Sequence, residues 1–124
     1  MNSCRHIAFR KYVKDMYISY GRGGGFTGAT ETHIIRGSGS LYHIKAFSTD
    51  TVFVKTANKK TLKEIFLYAD SKKLKKIDWN KPGNMTGFIH FYRDERIVKS
   101  WQWSEGSDIP VELRELYNRL NKLN

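Results

Sequence analysis

A single cysteine, Cys4, occurs in 124 residues, which excludes an internal disulfide framework and a multi-cysteine metal centre within one copy of the chain. Reducing surroundings are the default expectation. Also missing is any stretch of about 18 apolar residues, the length a membrane-spanning helix needs. The opening segment MNSCRHIAFRKYVKDMY lacks the run of about 7–15 apolar residues found in a signal peptide, so a cytoplasmic address is expected. An exported parent protein whose leader has been lost is the alternative. No internal repeat, low-complexity linker or break in composition divides the sequence. One domain over residues 1–124 is therefore expected, with 1–14 as an irregular lead-in.

What is present suits a globular fold. Hydrophobic residues make up 40% and aromatic residues 14% of the chain, enough for one core, while 27% are charged. The net charge of +10 is unevenly placed. Residues 55–81 hold nine cations and three carboxylates, and residues 1–25 hold five and one, whereas the remaining segments balance. Lys59, Lys60, Lys63, Lys72, Lys73, Lys75 and Lys76 form a candidate anion patch. A solvated, lysine-rich helix face explains the same run without function, and the lack of interleaved arginines or aromatics favours that plainer reading.

Met16 to Tyr20 has strand composition, and Gly21 is expected to end it. Thr30–Arg36 and Leu41–Phe47 flank Gly37-Ser38-Gly39-Ser40, a hairpin signal, and Val52–Thr56 reads as a fourth strand. Thr61 and Glu64 match a capping box, predicting a helix from Thr61 to about Leu74 with Leu62, Ile65, Phe66 and Ala69 inward. Lys81-Pro82-Gly83-Asn84 reads as a loop. Gly87–Arg93 and Arg96–Trp103 read as a second hairpin turning at Asp94-Glu95. Pro110 opens a last helix with Leu113, Leu116, Tyr117, Leu120 and Leu123 on one stripe. The expected fold is α+β: an antiparallel sheet of about six strands, in the order ββββαββα, packed with two helices.

GGGFTG, residues 23–28, fits G-x-G-x-x-G in form. A dinucleotide fingerprint needs a helix after the glycines, and here a strand is predicted; neither a P-loop nor kinase partner motifs are present. A strand-to-strand turn remains, with Arg22, Gly23, Gly24, Gly25, Phe26 and Thr27 as an exposed loop able to meet a ligand or partner. A symmetric first hairpin turn sets Ile34 opposite His43 and His33 opposite Ile44, which separates the two histidines and argues against a shared metal. An unbulged second hairpin puts Phe88, His90, Tyr92, Ile97, Lys99, Trp101 and Trp103 on one face. His90, Lys99, Trp101 and Trp103 are then candidate partner-surface residues if that face is exposed, and core if the last helix covers it. No nucleophile, base and orienting acid can be assembled, and no cofactor or metal is implied.

YISYGRGGGFTG, TETHIIR, NKPGNMTGFIHF, the strand ending in WQW and the leucine-rich last helix together resemble a family of small uncharacterised bacterial proteins of Bacteroidetes type. The resemblance covers most of the chain from Tyr17 onward. It implies one domain, and an exported lipoprotein character in many relatives, but no activity. The leading functional expectation is a non-catalytic binding or protein-interaction module using the glycine loop, the Pro82–Asn84 loop and the Trp101/Trp103 surface. A nucleic-acid binder using segment 55–81 is the alternative, and a small enzyme ranks third.

Overall fold

In this computed structural model, residues 9–25 and 28–124 are described. After a helical turn over residues 9–13, the elements are β1 (Met16–Gly24), β2 (Ala29–Arg36), β3 (Ser40–Ile44), β4 (Val52–Thr56), α1 (Lys59–Ala69), α2 (Lys72–Lys75), β5 (Asn80–Lys81), β6 (Met85–Arg93), β7 (Arg96–Ser104) and α3 (Val111–Asn121). The strands form one sheet in the order β4-β3-β2-β1-β6-β7-β5, antiparallel except for the short β5–β7 pair. The expected α+β class holds, with seven strands rather than about six.

Among the described residues, the helices serve one face of that sheet. Leu62, Ile65, Phe66 and Ala69 of α1, Leu74 of α2 and Leu113, Leu116 and Leu120 of α3 join Met16, Ile18, Tyr20, Ile35, Leu41, Ile89, Phe91, Trp101 and Trp103 in one core cluster. The alternation of β1, with Met16, Ile18 and Tyr20 buried and Tyr17 and Ser19 half-buried, is the period-two pattern of a strand with only one covered face.

Several local expectations change. Asn58, not Thr61, caps α1: its Oδ1 accepts from the Thr61 amide at 2.8 Å, so the helix starts at Lys59. The helix stops at Ala69 because Ser71 caps a separate short helix, its Oγ accepting from the Leu74 amide at 3.4 Å. Lys81, expected to open a loop, instead forms a short edge strand with Asn80, paired parallel to β7. β1 does not end at Gly21 but continues to Gly24, paired with β2 on one side and β6 on the other. Glycine usually weakens a strand, but here its missing side chain leaves room. A Cβ on Gly21 would fall onto the Glu31 carbonyl, and one on Gly23 onto the Thr30 side chain.

Both hairpins take a register one residue away from the expected one. The first turn holds three residues, closed by the Gly39 amide donating to the Arg36 carbonyl at 2.8 Å, so Ile35 pairs with Leu41 and His33 with His43. The histidines therefore share a face. The second hairpin turns at Asp94-Glu95 as expected, both with positive φ, as a tight two-residue turn requires. Tyr92 then pairs with Ile97 but Phe91 with Lys99, leaving Val98 as the extra residue of a β-bulge. The bulge turns the rest of β7 over. Trp101 and Trp103 join Ile89 on the helix side, while Phe88, His90 and Tyr92 remain on the other.

Candidate functional site

The face on which no helix of the described residues packs is built from alternate strand positions. Reading across the sheet, paired residues align Phe53, Tyr42, Ile34, Ser19, His90 and Ser100 in one row. Arg36, Tyr17, Tyr92 and Ile97 form the next row, and Thr32, Gly21, Phe88 and Gln102 the one on the other side. Six rings are thus set on a surface whose strand positions carry one cation, Arg36, and no carboxylate.

The rings are organised rather than scattered. Tyr17 and Tyr92 stack with centroids 4.4 Å apart and planes 12° apart, and the Arg36 guanidinium lies 5.4 Å from the Tyr17 ring centre. Phe88 stacks on His90 at 5.2 Å, and His90 meets Tyr92 edge-on at 6.5 Å. Tyr42 and Phe53 form another edge-on pair at 5.8 Å. Gly21 supports this layer, since a side chain there would press on the Phe88 ring. His90 Nδ1 lies 2.6 Å from Ser100 Oγ, and burial among its neighbours lowers the imidazole's affinity for a proton. The face is consequently aromatic, with hydroxyl and amide side chains between the rings and His90 near its centre.

At one end of the sheet the two sequence-predicted loops meet. The Gly25 amide donates to the Asn84 carbonyl at 2.7 Å, and Gly24, at φ 109°, approaches the same carbonyl closely. Thr86 closes the second loop, accepting from the Gly83 amide at 3.1 Å and donating to the Gly83 carbonyl at 2.9 Å. The expectation of one exposed loop from Arg22 to Thr27 is corrected in part. Arg22, Gly23 and Gly24 are strand residues, Gly25 begins the turn, and Phe26 and Thr27 lie outside the described residues.

On the helix side, below these glycines, a cavity of about 340 Å³ is lined by Gly21, Arg22, Glu31, His33, Glu105, Tyr117, Asn121 and Asn124. His33 stacks between Tyr20, at 5.3 Å, and His43, at 4.4 Å with planes 4° apart. Desolvation, then the neighbouring His43, lowers the His33 pKa. The histidine pair brings together two potential ligands that were expected on opposite faces. Among the described residues, however, no group of three or more His, Cys, Asp or Glu side chains could hold a metal ion.

The other predicted site residues separate. Trp101 and Trp103 are core side chains, 0% and 3% exposed, which removes them as a partner surface. Trp101 Nε1 donates to the Ile77 carbonyl at 2.9 Å, and the Trp103 indole lies over Gly87, where a methyl group would not fit. Lys99 projects to the helix side and pairs with Asp78, so it does not accompany His90. The lysine segment divides: Lys59, Lys60 and Lys63 edge a second, larger cavity, whereas Lys72, Lys73, Lys75 and Lys76 belong to α2 and its C-cap, with Lys75 paired to Asp70. Sequence reasoning missed Tyr17, Ile34, Arg36, Tyr42 and Phe53 as members of the open face. Tyr17 and Ser19 alternating with buried Met16, Ile18 and Tyr20 were the available signal.

Among the described residues no helix is long and apolar enough to cross a membrane. No protein-family model matches the chain, and no curated protein is significantly similar to it.

Proposed function

We propose that the chain is a non-catalytic binding module whose partner surface is the uncovered face of the sheet, bounded at one end by the paired glycine and Pro82–Asn84 loops. One observation carries this reading: the face sets six rings around a single cation and no carboxylate, although the chain as a whole is rich in charge. Aromatic surface of this kind is what partners bury at the centre of an interface.

A protein partner suits the face better than a nucleic acid. Rings can stack bases, but a nucleic-acid strand also needs cations along its phosphates, and only Arg36 stands among the rings. Seven of the nine lysines of segment 55–81 lie on α1, on α2 or at its C-cap, behind the sheet, and Lys55 and Lys81 lie in the edge strands β4 and β5. The two forms differ in salt dependence. Fluorescence anisotropy with a labelled mixed-sequence single strand at low salt tests the nucleic-acid form. Binding that falls steeply with salt and is weakened by Tyr92→Ser would replace the protein-partner form. Binding weakened only by neutralising Lys72, Lys73, Lys75 and Lys76 would instead shift the function to the lysine segment. Absence of binding, with partner capture sensitive to Tyr92→Ser, is the outcome expected here.

A further inference from the structure

The larger cavity, about 810 Å³, lies behind the sheet and is independent of the aromatic face. Its walls come from three places: Phe9, Arg10, Val13 and Lys14 from the N-terminal helical turn and its end, Gly37 and Ser38 from the β2–β3 turn, and Lys59, Lys60, Leu62 and Lys63 from the start of α1. Gly37 makes the junction close, because a Cβ there would fall onto the Val13 carbonyl, and its amide donates to the Met16 carbonyl at 2.9 Å.

Two chemistries meet in this cavity. Phe9, half-buried, is the apolar side chain open to this space, while Val13 and Leu62, 2% and 4% exposed, close its floor and join it to the core. Arg10, Lys14, Lys59, Lys60 and Lys63 supply five cations, and among the described residues no carboxylate lines the space. Four cations elsewhere are paired, Lys75 and Arg93 with Asp70, Lys99 with Asp78 and Arg119 with Glu115, while most of the other described cations stand singly at the surface; the cavity differs in gathering five at one opening. Among the described residues none of the five cavity cations forms a salt bridge. The first turn of α1 also contains no acidic residue, so its lysines sit at the positive end of the helix dipole. Positive potential is therefore concentrated at an apolar opening of a size that suits a small-molecule ligand.

We infer that this cavity binds a single-chain amphiphile with an anionic headgroup, taken from solution as a monomer. The chain lies against Phe9 and the aliphatic stems of the surrounding cationic side chains, above the floor formed by Val13 and Leu62, and the headgroup meets the charges of Arg10, Lys14, Lys59, Lys60 and Lys63, which face water. An inorganic anion alone would leave the apolar wall unused, and a neutral lipid would leave the five cations uncompensated. Headgroup and chain should therefore contribute together.

Calorimetric titration of the full chain tests this with dodecyl phosphate and laurate below their micelle concentrations, against dodecanol, dodecyltrimethylammonium and inorganic phosphate. The expected result is saturable one-to-one binding of the two anionic amphiphiles, strengthened up to roughly fourfold per added methylene. Binding should weaken at least tenfold in the Lys60→Glu/Lys63→Glu variant, whose changes lie at exposed positions and leave the core intact. The inference is overturned if dodecanol binds as well as laurate, if inorganic phosphate binds as tightly as dodecyl phosphate, or if the double variant binds like the parent. Anionic lipid vesicles form a last arm of the titration: binding to them, with none to the monomeric amphiphiles, also overturns the inference, since the ligand would then be a bilayer surface.

Discussion

Phe91 pairs with Lys99 and not with Val98, although the neighbouring Tyr92 pairs with Ile97. That one-residue step buries Trp101 and Trp103 and leaves Phe88, His90 and Tyr92 on the open side. Deleting Val98 should therefore force β7 either to expose both tryptophans or to lose its pairing. A stability loss of about 3 kcal/mol or more is expected, with tryptophan emission shifted to the red. Urea unfolding followed by fluorescence checks this; unchanged emission and midpoint would mean that the bulge does not set the faces.

The glycines should separate by location. Gly87→Ala places a methyl group in the Trp103 indole and should cost about 3 kcal/mol. Gly28→Ala meets no neighbouring atom, and only its φ of 67° opposes the change, so about 1 kcal/mol is expected. Comparing denaturant midpoints at equal m-values decides between strain and collision. Equal losses would contradict the assigned packing.

His33 and His90 should make stability fall on mild acidification. Both have pKa values lowered by burial, so the unfolded chain takes up protons first as pH drops through about 6.5, the ordinary histidine value. The stability these neutral rings contribute is complete above that pH and is lost progressively below it, until the folded pKa values are reached. The double variant His33→Phe/His90→Phe keeps rings in both positions, and its stability should be flatter between about pH 7 and 5. Thermal unfolding across that range measures the slope.

Asp70 joins three parts of the chain, accepting from Tyr12, pairing with Lys75 and accepting from Arg93 Nη2 at 3.1 Å. Burial raises its pKa, but the Lys75 and Tyr12 hydrogen bonds and the charges of Lys75 and Arg93 outweigh that and leave it lowered. A lowered carboxylate contributes stability above its unfolded pKa of about 3.9 and loses it as pH falls through the folded value. Asp70→Asn should cost about 1–3 kcal/mol at pH 7 and much less near pH 2. A loss independent of pH would assign Asp70 a packing role instead.

The parts of this fold legible in the sequence are those set by local chemistry. The leucine stripe of α3, the bounds of β4 and the Asp94-Glu95 turn follow from helical spacing, β-branched composition and short-range turn geometry. Register was not legible, because a three-residue first turn and a bulge at Val98 change the pairing by a single residue while leaving composition untouched. The extension of β1 through Gly24 was hidden for a related reason. Glycine signals a break unless two neighbouring strands and a crossing side chain occupy the space beside it. The aromatic site depended on register and so was only partly visible: Phe88, His90, Tyr92 and Ile97 were expected on one face, but Lys99 and the two tryptophans were placed with them, and the rings from β1, β3 and β4 were not.

The uncovered sheet face is tested most directly by site-specific photo-cross-linking in the chain's native cell. A benzophenone side chain placed at Ile34, in the central row of the face, is compared with one at Lys72 behind the sheet. The binding-module account predicts a discrete cross-linked protein species from position 34 that disappears with Tyr92→Ser, and no such species from position 72. Equal labelling from both positions, or a species from position 34 that survives loss of the Tyr92 ring, would contradict it.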